Sequence, residues 1–329
     1  MVKTIAAYPG IFTISLDFEL YWGVRDKLAL DHYKPNLEGV EKAVSEILRV
    51  FSKYSIHATW ATVGFLLCKN IEEIVSNRPV LLPTYRNRLL SPYDYIDNNH
   101  HLEAKYHFAP HLVERILGFS GQEIATHTYS HYYTLEEGQT LAQFEEDIRL
   151  ALHLAQNKRI SVNSLVFPRN QCNPQYFFVL NKLGIQCYRG NEKGWMFSTT
   201  TLKPFRRLFR LLDSYVNLSG YNTYTLEECL QTSPFNFPSS RYLRPYSRCL
   251  RAFDWLRLKR IKIAMNDAAI HKKVFHLWWH PHNFGRDIEE NIIFLSSILD
   301  HFLLLKNKYG MLSLNMQEMS SLAGVRNVQ

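Results

Sequence analysis

The spacing of hydrophobic positions along the chain changes repeatedly, and each change marks an element. Residues 11–17, within "GIFTISLDFEL", are rich in Ile, Phe and Thr and predict a buried first strand. In "NLEGVEKAVSEILRVFSKY", Val40, Ala43, Ile47 and Phe51 recur at helical spacing. A second strand is expected in "HATWATVGFLL", where β-branched and aromatic residues gather. Residues 67–120 are rich in Asn, Tyr, Pro and His, and predict a loop-rich insertion with a helix at "PHLVERIL", begun by Pro110. "GQEIATH" predicts a third strand, "TLAQFEEDIRLALHLAQNK" an amphipathic helix and "SVNSLVFP" a fourth strand. "PQYFFVLNKLG" reads as a helix closed by Gly184, and "IQCYRG" as a fifth strand. Residues 203–273 form a basic, mostly helical insertion, after which "KVFHLWWH" is a late strand. A long helix ("DIEENIIFLSSILDHFLLLKNKYG") and a final strand ("MLSLNM") follow. Strands alternate with helices throughout, so a mostly parallel sheet is expected. About seven strands in one chain predict an α/β barrel related to the eight-stranded type, as a single domain over 1–329.

Composition narrows the class. With 329 residues and 46% hydrophobic content, the chain can bury a sizeable core. "MVKTIAAYPGIFTIS" lacks the continuous apolar run of a signal peptide, and no stretch approaches 18 apolar residues. The five cysteines are odd in number and include no C-x-x-C pair, which favours free thiols. These features predict a cytoplasmic protein. The net charge of +8 is concentrated: residues 203–273 hold 14 Lys or Arg against 5 Asp or Glu. Aromatic and leucine residues interleave with these charges. The segment is either a solvated helix face or a surface for an anionic partner, such as a diphosphate-linked sugar or a lipid head group. Peripheral membrane contact through 203–273 is compatible with that pattern. No nucleic-acid module is recognisable, so nucleic acid is not expected as a partner.

Candidate chemistry lies in the histidines, of which there are 14. Three pairs stand four apart: His107 with His111, His127 with His131, and His276 with His280. In α/β barrels the reacting groups sit at C-terminal strand ends, where rigid strands hold them around one mouth. The first pair lies inside the insertion, at a helix entrance, and reads as structural or solvent-exposed. The third shares one strand face, which separates its members by about 13 Å. Only His127 and His131 begin where a strand ends. Other strand ends offer Asp17 and Glu19 in "LDFE", Arg169 in "FPRN", and His280 and His282 in "WWHPH". Two imidazoles and a carboxylate make a common site for Zn²⁺ or a similar divalent ion. A second carboxylate can take a proton from water, and a further histidine can protonate a leaving group.

The sequence resembles the polysaccharide deacetylases with the NodB-homology domain, carbohydrate esterase family 4. "ISLDFE" resembles that family's first acidic motif, and "HATWATVGF" its second strand. "EIATHTYSH" is similar to its H-[ST]-x-x-H metal motif, and "HLWWHPH" to the strand ending in its catalytic histidine. The resemblance covers roughly residues 11–200 and 274–315. It implies a seven-stranded distorted (β/α) barrel and one divalent ion, Zn first with Co, Mn or Ni as alternatives. It implies Asp17 as general base, His127 and His131 as metal ligands, and His280 as general acid. Asp17-Phe18-Glu19 stands where the family has two adjacent acids, so Glu19 is one candidate third ligand and Asp17 the other. Arg169 follows Pro168 where the family's arginine precedes it, and is expected to orient Asp17. Substrate contacts are expected from His282, Asn170 and Trp195.

The implied activity is removal of an N-acetyl or related N-acyl group from a sugar. Intracellular assembly of surface polysaccharide, of the O-antigen or capsule type, is the expected setting. The substrate would then be an acetamido sugar, nucleotide- or lipid-linked. The alternative is a catalytically degenerate barrel of the same kind, binding a glycan or lipid-linked sugar without turnover.

Overall fold

A computed structural model describes residues 8–99, 101–193 and 203–324. Its centre is β1 (Ile11–Phe18), in which all eight residues are buried. Burial on both faces is the mark of a central strand covered on each side, and it explains why this run lacks strict alternation. β2 (Ala58–Thr62) pairs with β1 in parallel, and β3 (Gln122–Thr126), β4 (Ser164–Val166) and β5 (Cys187–Arg189) follow in order.

Three two-residue strands arise within 203–273: β6 (Tyr224–Thr225), β7 (Phe235–Asn236) and β8 (Arg241–Tyr242). The helical reading of that segment missed them. β9 (Lys273–Trp279) lies on the other side of β1, and β10 (Leu312–Ser313) adds a short parallel pairing to β1. The main path is β6-β9-β1-β2-β3-β4-β5-β7, with β8 and β10 beside it. Among the described strands only β6 pairs antiparallel. This is a curled, barrel-like α/β sheet whose two end strands do not pair among the described residues.

Helices cover the outside. α1 (Val40–Tyr54) turns Ala43, Ile47 and Phe51 inward and ends at Ser55, which takes the left-handed conformation at φ 51°. α2 (Pro110–Leu117) begins at Pro110. α3 (Leu141–Asn157) opens with a capping box between Thr140 and Gln143. α4 (Lys203–Asp213) and α5 (Asp254–Ile270) belong to the basic segment, and α6 (Ile288–Tyr309) closes at Gly310. Residues 67–120 also hold short helices at Ile71–Ser76 and Pro92–Asn98 beside α2. No helix among the described residues is long and apolar enough to cross a membrane.

Register fixes where chemistry can gather. Leu16 pairs with Trp279, Asp17 with Ala61, and Thr62 with Thr126. The C-terminal ends of β9, β1, β2 and β3 therefore lie along one rim. Val166 pairs with Arg189, which extends that rim through β4 and β5.

Candidate metal centre and active site

Asp17 and Glu19 stand two apart at the end of β1, a spacing that aims both carboxylates to one side of an extended chain. Both are buried, at 3% and 5% exposure. Glu19 has room because residue 23 is glycine: a Cβ there would come within 1.9 Å of the Glu19 Oε1.

His127 follows β3 directly, and its amide donates to the Thr62 carbonyl at 2.9 Å. The loop then reverses through Thr128 and His131, whose φ angles are 64° and 60°. Asp147 of α3 pins the reversal. Its carboxylate accepts from the Tyr129 amide at 2.7 Å, the Ser130 amide at 3.2 Å and the Ser130 hydroxyl. Burial pushes the Asp147 carboxyl up to about 7, against the pull of these donors. The outcome is a pair of imidazoles whose centroids lie 5.1 Å apart.

The two rings differ in hydrogen bonding. His127 Nδ1 lies 2.8 Å from the Val166 carbonyl, which can only accept, so Nδ1 carries a proton and, in the neutral ring, Nε2 presents a lone pair. That buried Nε2 has no hydrogen-bond partner and stands 3.3 Å from Glu19 Oε2. With the ring neutral, two acceptors face each other with no proton between them, and a cation satisfies both. His131 Nε2 is 2.9 Å from the same Glu19 oxygen, and its Nδ1 is 3.0 Å from the Tyr133 hydroxyl. A phenol can donate or accept, so Tyr133 serves His131 whichever nitrogen holds the proton. Burial lowers His131 to about 4, with Glu19 opposing, which favours the neutral, ligating form at pH 7. For Glu19, burial alone would favour the neutral acid. His280 and His131 outweigh it, holding the carboxyl well below its ordinary range. One ionised carboxylate and two imidazoles, with ligand atoms within 4.8 Å of one another, fit a divalent ion.

Asp17 is held differently. Arg189 donates to both of its oxygens, Nη1 to Oδ1 at 2.6 Å and Nη2 to Oδ2 at 2.8 Å. The guanidinium also donates to Ser15 Oγ and Asn170 Oδ1, each at 2.9 Å, and stacks under the Trp278 ring. Burial would raise the Asp17 pKa, but the Arg189 charge outweighs it and leaves the carboxyl below its ordinary value. Arg169 does not take this position. It and Asn170 have φ 55°, and this left-handed turn carries the Arg169 guanidinium to Asp26 and over the Tyr133 ring. Asn170, expected at the substrate, accepts from Arg189 through its side-chain carbonyl. Arg189 is the last residue of β5, so the strand-end rule that singles out Asp17 and His127 applies to it equally.

His280 follows β9, with Nε2 at 3.5 Å from Glu19 Oε1 and 3.9 Å from Asp17 Oδ2. Its side chain is 22% exposed, against 2% for His282. The rings are 5.1 Å apart, but His282 sits deeper, against Tyr33, and burial lowers it to about 3. His276 is separate, bound to Ser15 Oγ and the Phe237 carbonyl. His107 is buried beside Trp22 and Tyr95, and His111 is exposed. Trp195 lies outside the described residues.

No family model matches this sequence, and neither does any curated protein. Solved structures do match. A protein from Mycobacterium smegmatis assigned as a polysaccharide deacetylase superposes with a TM-score of 0.57 at 10% identity, over 98% of this chain and 96% of that one. The two chains share the fold, a curled α/β barrel. The same architecture carries other activities. PuuE allantoinase matches at TM-score 0.50 and 10% identity, over 94% of this chain and 88% of its own. The 4-alpha-glucanotransferase of Thermococcus litoralis matches at 0.52 and 14% identity, over 94% of this chain but 40% of its own. Shared fold leaves function to the site.

Proposed function

We propose that the chain is a metal-dependent hydrolase that removes an N-acetyl or related N-acyl group from a sugar. The observation that carries this reading is the convergence of Glu19, His127 and His131 between Asp17 and His280 at one rim of the sheet. A divalent ion held by those three side chains, zinc first, would supply Lewis-acid polarisation of the amide carbonyl and of the attacking water. Asp17 accepts the proton of that water. Arg189 occupies two of the roughly four lone-pair sites on the carboxylate and leaves the others open, while keeping Asp17 ionised and oriented. His280, the more exposed of the two rim histidines, donates a proton to the departing amine nitrogen. His282 forms part of the buried wall behind it. Arg169 acts one layer out, steadying Tyr133 and through it His131.

The substrate class is an acetamido sugar, in the setting of surface-polysaccharide assembly. Acetate release from a panel of N-acetylated sugars, with and without chelator, tests the reading. Activity should disappear with chelator, return with Zn²⁺ and be absent in Asp17→Asn. Acetate release indifferent to both would overturn the proposal. Glycan binding by zinc-loaded protein without any acetate release would favour the degenerate binding barrel instead.

A further inference from the structure

The basic segment 203–273 reads from sequence as either a solvated helix face or a surface for an anionic partner. Side-chain exposure separates the two. A solvated helix turns polar residues outward and apolar ones to the core. On α4, Leu208 and Leu212 stand four apart on one face and both are exposed, whereas Asp213 is buried against Arg241. Val216 and Leu218, just beyond the helix, are exposed as well. On α5 the outward face carries Trp255, Lys259 and Ile263 at four-residue spacing, all exposed, with Trp255 at 61%. Phe253, directly before that helix, is 51% exposed.

The two stretches meet. The Phe253 ring lies 6.4 Å from the ring of Tyr215, which follows α4. Arg244 links them further: its Nε donates to Ser214 Oγ at 2.7 Å, and its carbonyl accepts from Arg257 of α5 at 2.6 Å. Strand β8 runs parallel to β9, so residues after Tyr242 emerge at the rim that carries His280. The apolar patch therefore borders that rim.

Cations accompany it. Arg251 and Lys259 are exposed and form no ion pair among the described residues. Asp213, Asp254 and Asp287 are each already paired with an arginine. Exposed aromatic and aliphatic side chains beside free cations match a membrane interface, where rings and leucines enter the headgroup boundary and the cations meet anionic headgroups. Nucleic acid would satisfy the charges, but its phosphate backbone offers Leu208, Leu212 and Ile263 no apolar contact.

We infer that this surface docks on an anionic lipid bilayer, with Leu208, Leu212, Phe253 and Trp255 entering the interface and Arg251 and Lys259 meeting the headgroups. The inference concerns where the chain sits and stands apart from the deacetylase reading.

Sedimentation of the full, zinc-loaded chain with phosphatidylcholine vesicles containing about one-third phosphatidylglycerol tests it without turnover. The chain should bind these vesicles at least about 10-fold more tightly than pure phosphatidylcholine vesicles, and binding should weaken as salt rises. The double variant Arg251→Gln/Lys259→Gln should weaken binding by about 10–30-fold, at roughly 5-fold per cation. Trp255→Ser keeps every charge and should weaken binding by about 10-fold through lost apolar contact. One variant removes charge and the other apolar surface, so either carries the test should the other fail to fold. No binding, equal binding to the two kinds of vesicle, or binding unchanged in a folded variant overturns the inference. Tighter binding to a DNA oligonucleotide than to the anionic vesicles also overturns it, as does a dimer in sedimentation velocity that Trp255→Ser dissociates, because each names another occupant. Acetate release is read in none of these measurements, so this surface and the deacetylase proposal stand or fall separately.

Discussion

Replacing Arg189 with methionine removes the one side chain that donates hydrogen bonds to Asp17 among the described residues. Arg189 and Asp17 have side-chain exposures of 0% and 4%, so solvent screening offers little relief. The substitution deletes two charge-assisted bonds to Asp17, and leaves Ser15 Oγ and Asn170 Oδ1 without that donor. Breaking a buried pair from one side costs about 3–5 kcal/mol, a large share of the roughly 5–15 kcal/mol that holds a domain folded. In the unaltered protein the Asp17 pKa lies below its ordinary value. The stabilisation from the pair is thus present at neutral pH and is lost as pH falls through the folded Asp17 pKa. Without Arg189, burial dominates and the pKa moves above the ordinary value. The stability deficit of Arg189→Met is then greatest at neutral pH and shrinks on acidification, once Asp17 takes up a proton. Urea unfolding at pH 7.5 and pH 5 measures this directly. Adding Asp17→Asn should recover much of the lost stability, because no charge is left buried, yet the double variant should stay inactive. Arg189→Met within about 1 kcal/mol of the unaltered protein at both pH values would refute the assignment of Arg189 as the Asp17 anchor.

Other expectations follow from single contacts. Gly23→Ala places a Cβ against the Glu19 carboxylate and should weaken metal binding, read by zinc titration, although no ligand is altered. His280→Ala should lower kcat by about 10²–10⁴-fold in the acetate-release assay, whereas His282→Ala should fall outside that range and lose far less. Asp147→Ala leaves the Tyr129 and Ser130 amides without their acceptor and should cost about 1–3 kcal/mol per unsatisfied buried donor in denaturant unfolding. A Tyr129 amide that exchanges no faster in Asp147→Ala than in the unaltered protein would contradict that role.

Much of this arrangement could be read from local sequence because it sits at strand ends. Asp17, Glu19, His127 and His280 each follow or close an apolar run long enough to identify. Arg189 obeyed the same rule, but its strand is three residues long and "FPRN" offered a nearer match to the expected arginine. What diverts Arg169 is the left-handed turn at residues 169 and 170, and neither Arg nor Asn announces that conformation by type alone. Strands β6, β7 and β8 are two residues each, too short to show any alternation. They exist because neighbouring strands offer them partners. Asp147 is one acidic position on a helix rich in polar residues, and only the tertiary fold brings it beneath the histidine loop.

The central claim is that Glu19, His127 and His131 together hold one divalent ion while Asp17 does not. Zinc titration with a metal-sensitive dye, combined with anomalous diffraction from zinc-soaked crystals, tests it most directly. One ion per chain is expected, with both Nε2 atoms about 2.0–2.1 Å from it. Binding should be lost in Glu19→Gln and His127→Ala and retained in Asp17→Asn. Loss of zinc in Asp17→Asn with retention in Glu19→Gln would reverse the two carboxylates, and an anomalous peak away from these imidazoles would remove the metal centre from this site.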